Sequence, residues 1–159
     1  MKKIFFGFER FDRVSSTAYI LGYGGLIPFV FFTLYGFRGV EHLLPSQDLF
    51  YFYGLTILSF LGAPHWGFVF TSQDLIKSQK KQQLRLFIGI LPALFAFSSV
   101  FFSELGRLII LLIGFIFILV FDVFLFRSEK ILGWYLPLRK RLSFIVLACL
   151  VTNIFFISK

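Results

Sequence analysis

Leu108–Phe126 reads LIILLIGFIFILVFDVFLF and contains one ionisable side chain, Asp122. At 1.5 Å of rise per residue, a helix of this length nearly crosses the ~30 Å hydrocarbon layer of a bilayer. A helix at a water-exposed surface needs a polar face, and this stretch has none, so it is read as a membrane span. Upstream, Leu84–Phe102 is a second apolar block, separated from the first only by Ser103-Glu104-Leu105-Gly106-Arg107. Two spans with so short a connection form an antiparallel hairpin. Two further blocks precede them, Ala18–Phe37 and Leu49–Phe70, and Leu142–Ile157 follows. The fold class is therefore an all-α, polytopic transmembrane helical bundle of about five spanning helices. Residues 18–157 form one membrane domain, preceded by an N-terminal segment, 1–17.

Composition agrees. Of 159 residues, 58% are hydrophobic and 15% charged, against roughly 45–50% and about 25% in ordinary soluble domains. The formal net charge is +8, which on its own fits nucleic acid, anionic lipid or topology signals. Position decides for the last. With the N-terminus inside, the inner segments hold Lys2, Lys3, Arg10 and Arg13, then Lys77, Lys80, Lys81 and Arg85, then Arg127, Lys130, Arg139, Lys140 and Arg141. The outer segments hold only Arg38, Arg107 and Lys159. This is the positive-inside pattern, with the N-terminus in and the C-terminus out, and it leaves no role for nucleic acid.

The start, MKKIFFGFERFDRVSS, places Ile4, Phe8 and Phe11 on one helical face among basic residues. It reads as a short interfacial amphipathic helix on the cytoplasmic side. Its apolar run is too short for a signal-peptide core and it lacks the look of a transit leader, so the expected location is a bacterial cytoplasmic (inner) membrane. The inner segment ILGWYLPLRKR (Ile131–Arg141) mixes aromatic and basic residues. Trp134 and Tyr135 suit the headgroup level, and Arg139, Lys140 and Arg141 suit anionic phospholipid phosphates.

Small residues four apart let helix backbones approach in lipid. Ala18/Gly22, Ser59/Ala63/Gly67 and Gly89/Ala93 have that spacing, and spans one to three are expected to pack through them, with Gly25 and Gly62 nearby. Pro28, Pro64 and Pro92 each lack a backbone donor, freeing the carbonyls of Gly24, Phe60 and Ile88 and kinking their spans. Gly25-Leu26-Ile27-Pro28 and Gly89-Ile90-Leu91-Pro92 echo one another weakly, as convergent use of Gly and Pro explains. Cys149, the single cysteine, reads as a packing residue, and Asn153 as an interhelical hydrogen-bonding group.

His65 and Asp122 are the ionisable residues inside spans, where such groups cost several kcal/mol unless paired, hydrated or neutral. Each lies about five residues from the inner end of its span, so they share a depth. Two arrangements follow. In one, Asp122 pairs with Arg127 while His65 bonds a backbone carbonyl. In the other, His65 and Asp122 share a polar site open to the cytoplasmic face, completed by Tyr19 and Tyr23 and flanked by Trp66. In the second case, replacing either by a small apolar residue abolishes function and spares the fold. No metal-ligand spacing, nucleophile elbow or phosphate loop is present, so the reading includes no cofactor and no metal.

Three segments together, LGYGGLIPFVF (Leu21–Phe31), YGLTILSFLGAPHWGF (Tyr53–Phe68) and WYLPLRKRL (Trp134–Leu142), resemble the family called domain of unknown function 3429, which includes transmembrane protein 69-like proteins. The resemblance implies a compact multi-span bundle of bacteria and mitochondria and no particular activity. It directs attention to Gly25, Pro28, Gly62, His65, Trp66 and Gly67. The Ala63-Pro64 pair departs from the Gly-containing form of that motif. The functional expectation is a non-enzymatic accessory, assembly or lipid-interacting membrane component, with a membrane-protein partner or a second copy of itself. The alternative is a small proton- or solute-linked transporter using His65 and Asp122.

Overall fold

The computed structural model describes residues 13–36, 45–71, 78–126 and 133–158. These residues form seven helices and no strand: α1 Arg13–Gly24, α2 Ile27–Gly36, α3 Ser46–Phe60, α4 Ala63–Thr71, α5 Gln79–Ser99, α6 Glu104–Phe126 and α7 Tyr135–Ile157. The expected amphipathic stretch around Ile4, Phe8 and Phe11, as well as Arg127, lie outside the described residues.

Two of the expected spans are broken in the middle, and proline explains where. Pro28 and Pro64 lack the N–H that would bond the carbonyl four residues earlier. Those carbonyls belong to Gly24 and Phe60, the last residues of α1 and α3. Each proline then stands in the first turn of the next helix, where a backbone donor has no intrahelical partner in any case. Leu26 N donates to Tyr23 O at 3.0 Å across the first break, and His65 N donates to Gly62 O at 3.2 Å after the second. Tyr53 Oη donates to the Gly25 carbonyl at 2.8 Å, so a side chain of α3 bonds a carbonyl at the first break. Pro92, by contrast, is tolerated inside the continuous α5.

α6 is the centre of the bundle, with α5 and α7 on either side; α3 packs on α2, α5 and α6, and α4 packs on α5. Its buried residues Leu108, Leu111, Phe115, Ile118, Asp122 and Leu125 recur at three- and four-residue intervals, one stripe of a regular helix. Leu58 of α3 and Leu150 of α7 are fully buried with Leu111 and Ile118. Phe29 sets its ring edge-on to Phe50 and Phe115, at 5.5 and 6.1 Å. The exterior is apolar: Phe101 is 75% exposed and Phe144 74%, with Leu21, Phe60, Phe87 and Phe124 close behind. Ser15–Gly36, Glu104–Phe126 and Tyr135–Ile157 are long and apolar enough to cross a membrane.

Three expectations need correction. The fifth apolar helix begins at Tyr135 instead of Leu142, because Tyr135–Arg141 continue the helix; its 23 residues span about 35 Å, and the segment expected to lie in the interface becomes its first turns. The small-residue faces do not all work as expected. Gly22 meets Leu138 and Leu142 of α7 instead of span two or three, and Gly67 has nothing among the described residues within 4 Å of the position of an added Cβ. The contact between α4 and α5 is made by Gly62 against Gly89, with the Trp66 indole also lying against Gly89.

Candidate functional site

Four helices bring polar side chains to one buried place. Asp122 comes from the inner stripe of α6, His65 from the first turn of α4, Arg85 from the start of α5 and Arg139 from the second turn of α7. His65 and Asp122 are 0% exposed and Arg139 8%. Arg139 Nε donates to Asp122 Oδ2 at 2.6 Å. His65 Nε2 lies 3.1 Å from the other carboxylate oxygen, Oδ1, at ion-pair distance but without the alignment of a hydrogen bond. Asp122 is thus set between an imidazole and a guanidinium.

Aromatic rings close the cluster. Arg85 places its guanidinium over the rings of Phe68 and Phe126, 4.5 and 4.6 Å from their centroids, and donates from Nη2 to the Leu125 carbonyl at 2.8 Å. Cation–π contact of this kind gains strength away from water. Phe126 also meets the His65 ring at 5.2 Å and the Tyr135 ring at 5.0 Å.

The shared depth expected of His65 and Asp122 is realised as contact. The remaining expected members are placed differently. Tyr23 is 40% exposed and packs beside Tyr19, 6.3 Å between rings, on the outward side of α1; Tyr135 takes the place beside the cluster that those tyrosines were expected to fill. Trp66 turns toward α5. Lys140 and Arg141 are exposed, but Arg139, expected with them at the surface, turns inward to Asp122. Its inward direction was legible once the helix is extended back. Arg139 then falls on the same stripe as Ser143, Val146, Leu150 and Asn153, which are all buried.

Beside the cluster lies a half-enclosed cavity of about 340 Å³ between α1, α2, the α3–α4 break and α7. Its walls are apolar, with Phe29, Leu61, Phe115 and Val146 among them, and Tyr135, Arg139 and Ser143 form a polar strip on one side. Leu21 and Phe60, both strongly exposed, stand at its margin. A second polar patch, towards the C-terminal end of α7, is a fastening. There Asn153 Nδ2 donates to Thr33 Oγ1 at 2.9 Å and to the Cys149 carbonyl at 2.8 Å. Tyr51 Oη and Ser99 Oγ are 2.9 Å apart nearby in the core, between α3 and α5.

An all-helical bundle with an apolar exterior and charged groups gathered inside reverses the plan of a water-soluble domain, and this chain has the make-up of an integral membrane protein. Residues 14–155 match the model of the family described as Protein of unknown function (DUF3429), and the chain belongs to that family. Comparison with curated proteins and with solved structures gave no match.

Proposed function

We propose that this chain is a non-enzymatic component of the bacterial cytoplasmic membrane that holds one lipid-soluble molecule in the cavity beside the His65–Asp122–Arg139 cluster. In this reading it crosses the bilayer five times, with α1–α2 and α3–α4 each forming one broken span, the N-terminus inside and the C-terminus outside. Lys140 and Arg141 then meet anionic headgroups at the inner face, and a protein partner or second copy covers part of the apolar exterior. The observation that carries the proposal is the cavity itself. It has apolar walls, a margin at the exposed Leu21 and Phe60, and one polar strip along α7. A volume of about 340 Å³ lies in the range of small-molecule sites, roughly 300–1,000 Å³, whose usual make-up is apolar with a few polar groups.

Purification in mild detergent followed by organic extraction and mass spectrometry tests the reading. About one lipophilic molecule per chain, enriched over its share of the bulk membrane, is expected. Extracts indistinguishable from bulk lipid would remove the basis for it. The contact between His65 and Asp122 favours a second reading, a proton-linked carrier. Proteoliposomes showing a pH-driven flux that His65→Ala abolishes would establish that instead.

A further inference from the structure

Three donor-bearing atoms on one face of α7, Arg139 Nη2, Tyr135 Oη and Ser143 Oγ, are shielded from solvent and have no hydrogen-bond partner among the described residues. All three residues line the cavity, Ser143 at 2% exposure and Arg139 at 8%. Buried polar groups are ordinarily satisfied, so three unsatisfied groups in one strip point to an acceptor that approaches from the cavity. The charge of Arg139 is already met by Asp122. Arg85, the other buried cation of the cluster, lies over Phe68 and Phe126 and does not line the cavity, so an anion in the cavity would face no cation of its own and the acceptor is neutral, of the carbonyl kind.

From this we propose that the cavity binds the head of a membrane quinone, a neutral ring with a carbonyl oxygen on opposite sides and an isoprenoid tail. This deepens the reading above and rests on it. Residues 135, 139 and 143 follow one another at four-residue intervals, so their backbone positions step about 6 Å along one face of the helix, and a quinone ring carries carbonyl oxygens on opposite sides that two members of such a row can meet. Phe29, Phe115 and Trp134 in the walls offer aromatic surface to the ring, and the margin at Leu21 and Phe60 lets the tail run into lipid. A diacyl phospholipid fits less well, because its carbonyls sit beneath a charged phosphate that an apolar cavity disfavours. The proposal concerns binding alone and involves no electron transfer.

Trp134 reports occupancy, since a quinone within contact of an indole quenches its fluorescence. Trp66→Phe leaves Trp134 as the sole indole. In phosphatidylcholine nanodiscs, a short-tailed benzoquinone is expected to quench it saturably at one site per chain. Tyr135→Phe and Ser143→Ala, checked for unchanged helicity by circular dichroism, should each weaken binding about five- to tenfold, as loss of one buried hydrogen bond does. Arg139→Lys, which keeps the charge opposite Asp122 but removes the guanidinium's second arm, should do the same. Quenching that rises linearly and equally in every variant would mean mere partition into the bilayer and overturn the proposal. Retention of a phospholipid that the quinone cannot displace would overturn it too, while leaving the lipid-binding reading intact. Absence of any retained molecule would remove both.

Discussion

Arg139 reaches from the second turn of α7 to Asp122 near the end of α6, Nε to Oδ2 at 2.6 Å, and both side chains are buried. The pair joins the two helices where the chain between them, 127–132, lies outside the described residues. Breaking a buried pair from one side leaves an uncompensated charge and costs about 3–5 kcal/mol, whereas replacing both partners with apolar groups of like size is often nearly neutral. Arg139→Met or Asp122→Leu alone should therefore destabilise the folded chain by about that much, and the double variant should regain most of the loss. A double-mutant cycle on denaturant unfolding in detergent measures it. Equal losses that simply add in the double variant would mean that the two groups do not act as a pair.

His65 stands differently. It touches the same carboxylate from the opposite side, but removing it leaves the Asp122–Arg139 pair in place. His65→Ala should keep the fold, with a stability loss near the lower end of the about 2–5 kcal/mol that emptying a buried site costs, and should alter mainly what the cavity and cluster do. Asp122→Ala should lower the unfolding midpoint far more, against the expectation that both positions spare the fold alike. Thermal unfolding of the two variants side by side separates them.

The long apolar blocks and their order were legible in the sequence because a span needs length and apolarity, both of which are local properties. Distortion at Pro28 and Pro64 was legible as well, since each names the carbonyl it abandons, but the same reading expected a kink at Pro92, and that two of the three prolines break the helix while α5 runs on was not legible. Equal depth made contact between His65 and Asp122 one of the two arrangements open to the sequence, and the structure brings them together. Arg139 was hidden by its company. It sits in a basic run whose neighbours Lys140 and Arg141 do face outward, and only the 3.6-residue period of α7 turns one of the three inward. The choice of packing faces was also hidden, for Gly62 and Gly67 look equally suited to a close crossing until a partner helix is in place.

At the opposite end of the bundle, Asn153 links α7 to Thr33 of α2. Interhelical hydrogen bonds within membranes average only about 0.6 kcal/mol, because the separated helices find other partners. Asn153→Leu, Thr33→Val and their combination should give a coupling of about that size. A coupling above about 2 kcal/mol would show that this fastening does more than hold two helices.

Gly62 and Gly67 give the sharpest contrast, since both belong to the stretch that resembles the family's motif. A Cβ on Gly62 would run into the carbonyl oxygen of Gly89, which is backbone and cannot swing aside, whereas a Cβ on Gly67 would meet nothing among the described residues within 4 Å. Gly62→Ala must push α4 away from α5 and thereby draw His65, three residues further on, off Asp122. Forcing an extra methyl into a packed contact costs about 1–3 kcal/mol, so Gly62→Ala should lower the unfolding midpoint clearly and loosen the cluster. Gly67→Ala should leave stability unchanged or raise it slightly, by the better helix propensity of alanine, up to about 1 kcal/mol. Equal effects of the two substitutions would show that α4 does not cross α5 at Gly62, and would place His65 elsewhere.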